Sequence, residues 1–361
     1  MSGASDLASL ASPPAHVLAG WGLAGCPSER VAGGLINTTF LVRPPDREPV
    51  VLQRLHPIFA AEVNLDIEAV TDHLAVAGLV TPRLVPTAAG ERWVLEDGGA
   101  VGPGWVWRAL TWLDGVTVHA VPHAGYAAAA GVLVGRFHRA LAGYQRSFAS
   151  PRAGVHDTAA HLGKLARAVT GEASPALSDS IQLGREILDA GARLPPLGDL
   201  PRRVTHGDLK ISNILFERDA ELPRAICLID LDTLGHQTVA YEMGDALRSW
   251  CNPAGEDTVD TRFDLDVFEA AVRGYADGLD GLLTPPETEA LTGGLEVVCI
   301  ELAARFCVDA IEDRYFGWDP AHFDSRRHHN LVRARGQLHL GRAVAAARAE
   351  AHRRVAAAFA G

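Results

Sequence analysis

The segment at positions 206–213 reads HGDLKISN, and it carries the side chains best suited to chemistry in this sequence. Asp208 lies in it on a loop, and Asn213 follows where a strand is predicted to begin. A second acidic segment, IDLD at 229–232, places Asp230 at the end of the partner strand. A carboxylate can orient and deprotonate a hydroxyl, and a carboxylate with an amide oxygen can hold Mg²⁺ against phosphates. These residues predict phosphoryl transfer to a hydroxyl group.

The spacing within this segment supports the same chemistry. His-x-Asp-x-x-x-x-Asn is the spacing of a protein-kinase catalytic loop, and Lys210 sits where those kinases carry a phosphate-contacting Lys. The alternative is a surface turn that contains His-Gly-Asp by chance. We favour the catalytic interpretation because three independent features indicate the same chemistry: the spacing, the flanking strands and the second acidic segment. Asp208 and Lys210 are therefore predicted to be catalytic.

The elements that must position these residues follow from the hydrophobic pattern. Short apolar runs at 38–42 and 50–55 are typical of strands, whereas helical periodicity dominates from about residue 126 onward, interrupted by a β-hairpin. This layout predicts an α+β, bilobal, protein-kinase-like fold. A small β-rich lobe at 1–112 would bind the nucleotide, and a larger, mainly helical lobe at 113–361 would hold the catalytic and acceptor-binding residues.

His206-Gly207-Asp208, where protein kinases have His-Arg-Asp, resembles the small-molecule kinases related to aminoglycoside phosphotransferases and choline kinases. Within that superfamily the chain resembles the N-acetylhexosamine 1-kinase branch from about residue 30 to 340. The motifs that carry this resemblance are GGLINTTF at 33–40, LQRL at 52–55, IDLDT at 229–233, GDALR at 244–248 and ELAARF at 301–306. The resemblance implies ATP and Mg²⁺ as cofactors, and the anomeric hydroxyl of an N-acetylhexosamine or related hexose as acceptor.

The resemblance also implies roles for single residues. Asp208 would be the catalytic base, Asn213 and Asp230 would be Mg²⁺ ligands, and Asp232 would support that metal site. Asp245 would be a buried carboxylate that braces the catalytic loop. The alternative for Asp245 is a charge in the first turn of a helix at 245–250.

A glycine-containing turn between two strand-like segments is a candidate for covering the nucleotide phosphates. Gly33 and Gly34 would let backbone N–H groups approach anionic oxygens, and Asn37, Thr38 and Thr39 complete the turn. An ordinary hairpin loop is the commoner explanation for such a pattern. Its place upstream of the catalytic loop favours nucleotide binding.

The lysine content creates a problem for the nucleotide site. A protein kinase clamps the nucleotide phosphates with a Lys on the strand after the glycine-rich loop, but the only lysines here are Lys164 and Lys210. On the strand at 50–55, Arg54 or Gln53 must substitute, and we favour Arg54 because a guanidinium can grip two phosphate oxygens. Glu68 in the following helix would pair with Arg54; a solvated charge is the alternative.

The acceptor site is predicted on a helix near the end of the chain. Glu301, Arg305 and Asp309 recur every four residues on one helix face, and Tyr315 follows shortly after. Such groups can bind sugar hydroxyls and stack on a sugar ring, although a ladder of solvated salt bridges would give the same pattern. The family resemblance favours Arg305 and Tyr315 as sugar contacts and leaves Glu301 and Asp309 open.

Composition excludes several classes of partner. The 33 basic and 44 acidic residues give a net charge of -11, which argues against a nucleic-acid partner. No apolar run approaches the length needed to cross a bilayer, so no membrane partner is expected. Five scattered cysteines predict a reduced, cytoplasmic location. The oligomeric state stays open.

The function expected from the sequence is therefore an ATP- and Mg²⁺-dependent small-molecule kinase whose substrate is a sugar or amino sugar. One rival is a kinase for aminoglycosides or amino alcohols, which an acidic protein could bind as cations. Another is a pseudokinase that binds nucleotide without turnover, as the missing strand Lys would allow. The presence of Asp208, Asn213 and Asp230 argues against the pseudokinase.

Overall fold

The computed structural model describes residues 10–31, 37–96, 104–151, 156–171 and 174–360. The chain divides into two compact units, Met1–Asp114 with Gln145–Pro151, and Gly115–Tyr144 with Arg152–Gly361. The first is built on a β-sheet and the second is mainly helical, so the predicted α+β class is confirmed. In the described ranges, no helix has both the length and the apolar character that crossing a membrane requires.

The first unit contains an antiparallel five-stranded sheet with the order β1-β2-β3-β5-β4. Two helices belong to the same unit. Its elements are α1 (Ala15–Gly20), β1 (Ser28–Arg30), β2 (Thr38–Val42), β3 (Val50–Arg54), α2 (Val63–Val76), β4 (Val94–Glu96) and β5 (Trp105–Thr111). Leu84 forms a single isolated bridge, to Leu110 of β5.

Side chains along each strand of this sheet alternate between its two faces. Phe40, Leu52 and Trp107 point to one face, where they join a buried apolar cluster. Strand pairing places Gln53 opposite Thr39 on one side and Arg108 on the other, so these polar residues share the opposite face. We call the face with Gln53 the polar face.

The first unit consists of two separate stretches of the chain. The segment Gln145–Pro151 returns to the first unit. There the Asp66 carboxylate on α2 accepts hydrogen bonds from the backbone N–H groups of Ala149, at 2.7 Å, and Ser150, at 2.9 Å. A buried carboxylate that accepts two N–H groups holds this segment against α2.

The second unit is built from long helices. They are α3 (Ala124–Leu141), α4 (Thr158–Ala168), α5 (Ser178–Gly191), α6 (Val239–Trp250), α7 (Leu265–Leu279), α8 (Pro285–Glu312) and α9 (Arg326–Ala358). An apolar core that includes Leu165, Ile187, Phe306 and Leu338 fills the space between α4, α5, α8 and α9. Helices α3 and α7 approach so closely that a Cβ at Gly274 would lie 2.1 Å from the Ala128 carbonyl oxygen.

Two short strand pairs lie between α5 and α6 in the sequence, one nested inside the other. Strand β6 (Arg202–Thr205) pairs with β9 (Gly235–Thr238), and β7 (Ile214–Phe216) pairs with β8 (Ala225–Leu228). The chain passes from β6 to β7 and later from β8 to β9. The two connections therefore run side by side, and they contain the two acidic segments singled out in the sequence.

Candidate active site

The catalytic loop is held through its backbone by helix α6. The Glu242 carboxylate accepts hydrogen bonds from the backbone N–H of His206, at 2.7 Å, and of Gly207, at 3.0 Å. One turn later, Asp245 Oδ2 accepts from the N–H of Leu209 at 3.0 Å. Hydrogen bonds to a carboxylate are charge-assisted. Both carboxylates are buried, so these bonds are also protected from water. Helix α6 thus holds three backbone N–H groups of the loop, two before Asp208 and one directly after it.

Gly207 is required by the path of the loop. Its φ is +82°, and a Cβ at this position would lie 2.4 Å from the Thr233 carbonyl oxygen. A side chain would therefore combine an unfavourable backbone conformation with a clash against backbone. The glycine lets the loop lie directly against the connection between β8 and β9.

His206 links the two connections through hydrogen bonds of its ring and its backbone. Its Nε2 donates to the Ile229 carbonyl oxygen at 2.9 Å, and its Nδ1 accepts from the N–H of Asp208 at 3.3 Å. Thr233 Oγ1 donates to the His206 carbonyl oxygen at 2.7 Å. A ring that donates at Nε2 and accepts at Nδ1 is neutral. His206 is fully buried and acts as a structural link rather than a proton donor.

The Asp208 carboxylate lies between the Lys210 ammonium and the Asn213 amide. Lys210 Nζ is 3.0 Å from Oδ2, and Asn213 Nδ2 donates to the same oxygen at 3.0 Å. Asn213 Nδ2 also donates to the Asp208 carbonyl oxygen at 2.8 Å. Burial alone would lower the pKa of Lys210, but Asp208 and Asp230 outweigh burial and raise that pKa above its ordinary value. The ammonium is therefore charged at neutral pH.

The predicted metal ligands have a suitable chemistry. Because Asn213 Nδ2 faces Asp208, the Oδ1 atom is left as the ligating atom of that amide. Asp230 is exposed and adopts a left-handed backbone conformation with φ +64°. This conformation is strained for a residue other than glycine. Asp232 is buried in the turn that follows. Across the described ranges, no group of three or more His, Cys, Asp or Glu side chains could hold a metal. Mg²⁺ needs only one or two protein carboxylates when phosphates and water complete its shell, so these residues fit it.

Asp245 braces the catalytic loop, as the family resemblance implied. Helix α6 begins at Val239, so Asp245 lies in mid-helix and not in a first turn. Arg248 donates to its Oδ1 from Nε at 3.0 Å and from Nη2 at 2.8 Å. Burial would raise the pKa of Asp245, but the Arg248 guanidinium outweighs burial and holds that pKa below its usual range. Asp245 is therefore an anion beneath the loop at neutral pH.

Arg54 does not pair with Glu68 as the sequence suggested. Arg54 Nε lies 3.3 Å from Glu96 Oε2, and its guanidinium stacks 3.7 Å from the centre of the Trp105 ring. Glu68 instead accepts a hydrogen bond from Arg92 Nε at 2.6 Å. The reason is strand alternation, since Arg54 shares the face of Leu52 with the apolar cluster.

The other predicted nucleotide contacts lie around β2. Thr38 is buried on the face of Arg54, whereas Thr39 is half-buried on the polar face. Asn37 Oδ1 accepts from the backbone N–H of His56 at 2.9 Å, which ties the start of β2 to the end of β3. Gly33 and Gly34 lie outside the described residues.

The residues predicted for the acceptor site divide into two kinds. Glu301 is fully buried and accepts from Thr158 Oγ1 at 2.6 Å and from His156 Nδ1 at 2.9 Å. Half-buried Arg305 has its guanidinium 5.6 Å from the Phe316 ring centre, and Tyr315 is 61% exposed. Arg305 and Tyr315 therefore present groups that a ligand could contact.

Asp309 holds the turn that follows α8. It is buried just before the end of α8 and caps the turn that follows the helix. Its two carboxylate oxygens accept from the backbone N–H groups of Arg314, Tyr315 and Phe316 and from Asn330 Nδ2, at 2.7 to 3.0 Å. The alternative of a solvated salt-bridge ladder is therefore wrong for Glu301 and Asp309, and Asp309 instead shapes the turn that carries Tyr315.

Residues 28–277 match the model of the phosphotransferase enzyme family, APH. The matched range spans the sheet of the first unit and both acidic segments. The chain belongs to this family. It is a phosphotransferase, and the wider family assignment made from the His-Gly-Asp loop is confirmed.

Solved structures share the fold of this phosphotransferase at low sequence identity. A microcompartment-associated aminopropanol kinase is 14% identical over 94% of this chain and 98% of its own, with a TM-score of 0.63. An amicoumacin kinase in complex with AMP-PNP, Ca²⁺ and Ami is 16% identical over 86% and 87%, with a TM-score of 0.59. An aminoglycoside phosphotransferase from Alicyclobacillus acidocaldarius is 14% identical over 96% and 98%, also with a TM-score of 0.59.

Three residues that contact predicted site residues or their loop were missed in the sequence. Glu242 clamps the catalytic loop, His156 holds Glu301, and Arg108 donates two hydrogen bonds to Gln53 on the polar face. Glu242 lies three residues before Asp245 on one helix, so a longer helix in the sequence interpretation would have placed both carboxylates on one side. His156 and Arg108 reach partners far along the chain, and no local pattern indicates those contacts.

Proposed function

We propose that this phosphotransferase is an ATP- and Mg²⁺-dependent kinase that transfers the γ-phosphate to a sugar hydroxyl. The acceptor in this proposal is the anomeric hydroxyl of an N-acetylhexosamine or a related hexose. The observation that carries the proposal is the Asp208 carboxylate, held between the Lys210 ammonium and the Asn213 amide on a loop braced from α6. Such a fixed carboxylate can accept the proton of the attacking hydroxyl.

The neighbouring side chains fit the needs of this reaction. Lys210 carries a positive charge that the anionic phosphoryl group can approach, and Asn213 Oδ1 and Asp230 would hold Mg²⁺. Mg²⁺ bound there would neutralise charge on the nucleotide phosphates. The amicoumacin kinase with the same fold was solved with AMP-PNP and Ca²⁺, which supports nucleotide and divalent metal as the cofactors.

The choice of a sugar rests on the acceptor residues. Arg305, with its guanidinium beside Phe316, and exposed Tyr315 can donate hydrogen bonds to hydroxyls and stack on a ring. A fixed guanidinium repels an ammonium group, so this cluster favours a neutral or anionic acceptor. The competing proposal is an aminoglycoside or amino-alcohol kinase, and the aminopropanol kinase of similar fold keeps that proposal open.

The experiment that tests the proposal is an ADP-release assay on the full chain with ATP and Mg²⁺. One panel contains N-acetylhexosamines and hexoses, and a second contains aminoglycosides and amino alcohols. We expect turnover in the first panel, with phosphorus NMR showing a phosphate on the anomeric carbon. Turnover in the second panel alone refutes the sugar assignment, and Mg-ATP binding without any turnover identifies a pseudokinase.

A further inference from the structure

The polar face of the first unit contains a connected group of side chains on β2, β3 and β5. Gln53 Oε1 accepts from Arg108 Nε at 2.9 Å and from Arg108 Nη2 at 2.7 Å. Gln53 Nε2 donates to Thr39 Oγ1 at 3.2 Å. Arg108 Nη1 also lies 3.5 Å from Asn64 Oδ1 at the start of α2. Arg108 is only 1% exposed, while Gln53 and Thr39 are half-buried.

This arrangement fixes the direction of the Gln53 amide. Because both bonds from Arg108 end on Oε1, the Nε2 group must point away from the guanidinium. An amide nitrogen has two N–H bonds, and one of them points to Thr39. The second can donate to an anionic oxygen, and the adjacent guanidinium adds positive potential at that point.

We propose that Gln53 and Arg108 together replace the strand Lys of other kinases. Gln53 Nε2 donates to a phosphate oxygen of the nucleotide, and Arg108 is the positioning residue that orients the amide and supplies the charge. This inference rests on the proposed ATP-dependent function. It departs from the expectation for Arg54, whose guanidinium is engaged by Glu96 and Trp105 on the other face of the sheet.

The decisive variant is Gln53→Glu. A carboxylate at this position still accepts both bonds from Arg108 and gains an ion pair, so the cluster and the thermal midpoint of unfolding are preserved or improved. The same variant removes the N–H donors and places a negative charge where the phosphate would bind. We expect the Kd for Mg-ATP, measured by isothermal titration calorimetry, to rise at least about tenfold. A Kd within twofold of wild type overturns the proposal, because a purely structural cluster predicts no loss.

Arg108→Lys tests the second half of the proposal. An ammonium keeps the charge but cannot make both bonds to Gln53 Oε1, so we expect the KM for ATP to rise about three- to tenfold with a smaller change in kcat. Arg83→Gln is the matched control, since Arg83 belongs to the same unit and forms an exposed ion pair with Asp72. An unchanged KM in Arg108→Lys refutes the role of Arg108.

The outcomes also separate this inference from the proposed function. If wild-type protein shows no heat of binding with Mg-ATP, the kinase proposal fails and this inference fails with it. If wild type binds Mg-ATP and Arg54→Gln weakens binding while Gln53→Glu does not, only this inference fails. Arg54 would then be the phosphate contact.

Discussion

Replacing Glu242 by Gln is expected to loosen the catalytic loop without removing any group from the reaction itself. Glu242 is 2% exposed, and its two oxygens accept from the N–H groups of His206 and Gly207 at 2.7 and 3.0 Å. A Gln side chain keeps one acceptor and turns an NH₂ group toward the other N–H. A charge-assisted hydrogen bond contributes about 1.5–3 kcal/mol, and a buried unsatisfied donor costs about 1–3 kcal/mol. We therefore expect a total loss of about 3 kcal/mol.

Hydrogen–deuterium exchange measures this loss without knowledge of the acceptor. Because about 1.4 kcal/mol corresponds to a tenfold change, a loss of about 3 kcal/mol should make the amides of His206 and Gly207 exchange about 100-fold faster in Glu242→Gln. Glu217→Gln is the matched control, since its ion pair with Arg224 lies on the exposed turn of the β7–β8 hairpin. Unchanged exchange at both amides in Glu242→Gln would refute the idea that α6 holds the loop through this carboxylate.

Three further predictions concern aspartates of the second unit. Asp208→Asn should lower turnover by about 10²–10⁴-fold while the calorimetric Kd for Mg-ATP stays within a few fold, and near-normal turnover would exclude Asp208 as the base. Asp230→Ala should shift the magnesium dependence of ATP binding to higher concentration, because it removes an anionic ligand, and a titration that overlays wild type would contradict the metal assignment. The Asp245 carboxylate, whose pKa is lowered on folding, stabilises the protein above the unfolded value of about 3.9 and loses this effect as pH falls through the lower folded value. The melting temperatures of wild type and Asp245→Asn should therefore differ by a constant amount above about pH 5 and converge below about pH 4, whereas a gap that persists in acid would contradict the charge effect.

Much of this architecture could be predicted because it depends on local patterns. The four-residue spacing of Glu301, Arg305 and Asp309 predicted one helix, and the structure places all three on α8. The loop at 206–213 could be proposed as catalytic because its residue types are those that phosphoryl transfer requires. The strand pair β6–β9 was missed because its strands, RRVT and GHQT, are short and polar, and they pair only through the long-range fold.

The predicted nucleotide contacts on β3 could not be assigned from local sequence patterns. Alternation along a strand shows that Gln53 and Arg54 point to opposite faces, but it cannot tell which face is buried against the apolar cluster. Glu96 and Trp105, the partners of Arg54, come from strands distant in the sequence and are brought to it by strand pairing across the sheet. The ion pair of Arg54 and the bonds of Arg108 are therefore properties of the assembled sheet and not of the segment LQRL.

The close contact between Gly207 and the Thr233 carbonyl oxygen also constrains how such a sequence can change during evolution. With a Cβ at 207 placed 2.4 Å from that oxygen, the Arg that protein kinases carry between His and Asp cannot enter by one substitution. The turn Leu231–Thr233 would first have to move, and its movement would displace Asp230 and Asp232. The residue at 207 and the path of this turn must therefore change together. A relative with a side chain at the position of Gly207 is expected to have a differently shaped turn after its metal-binding aspartate.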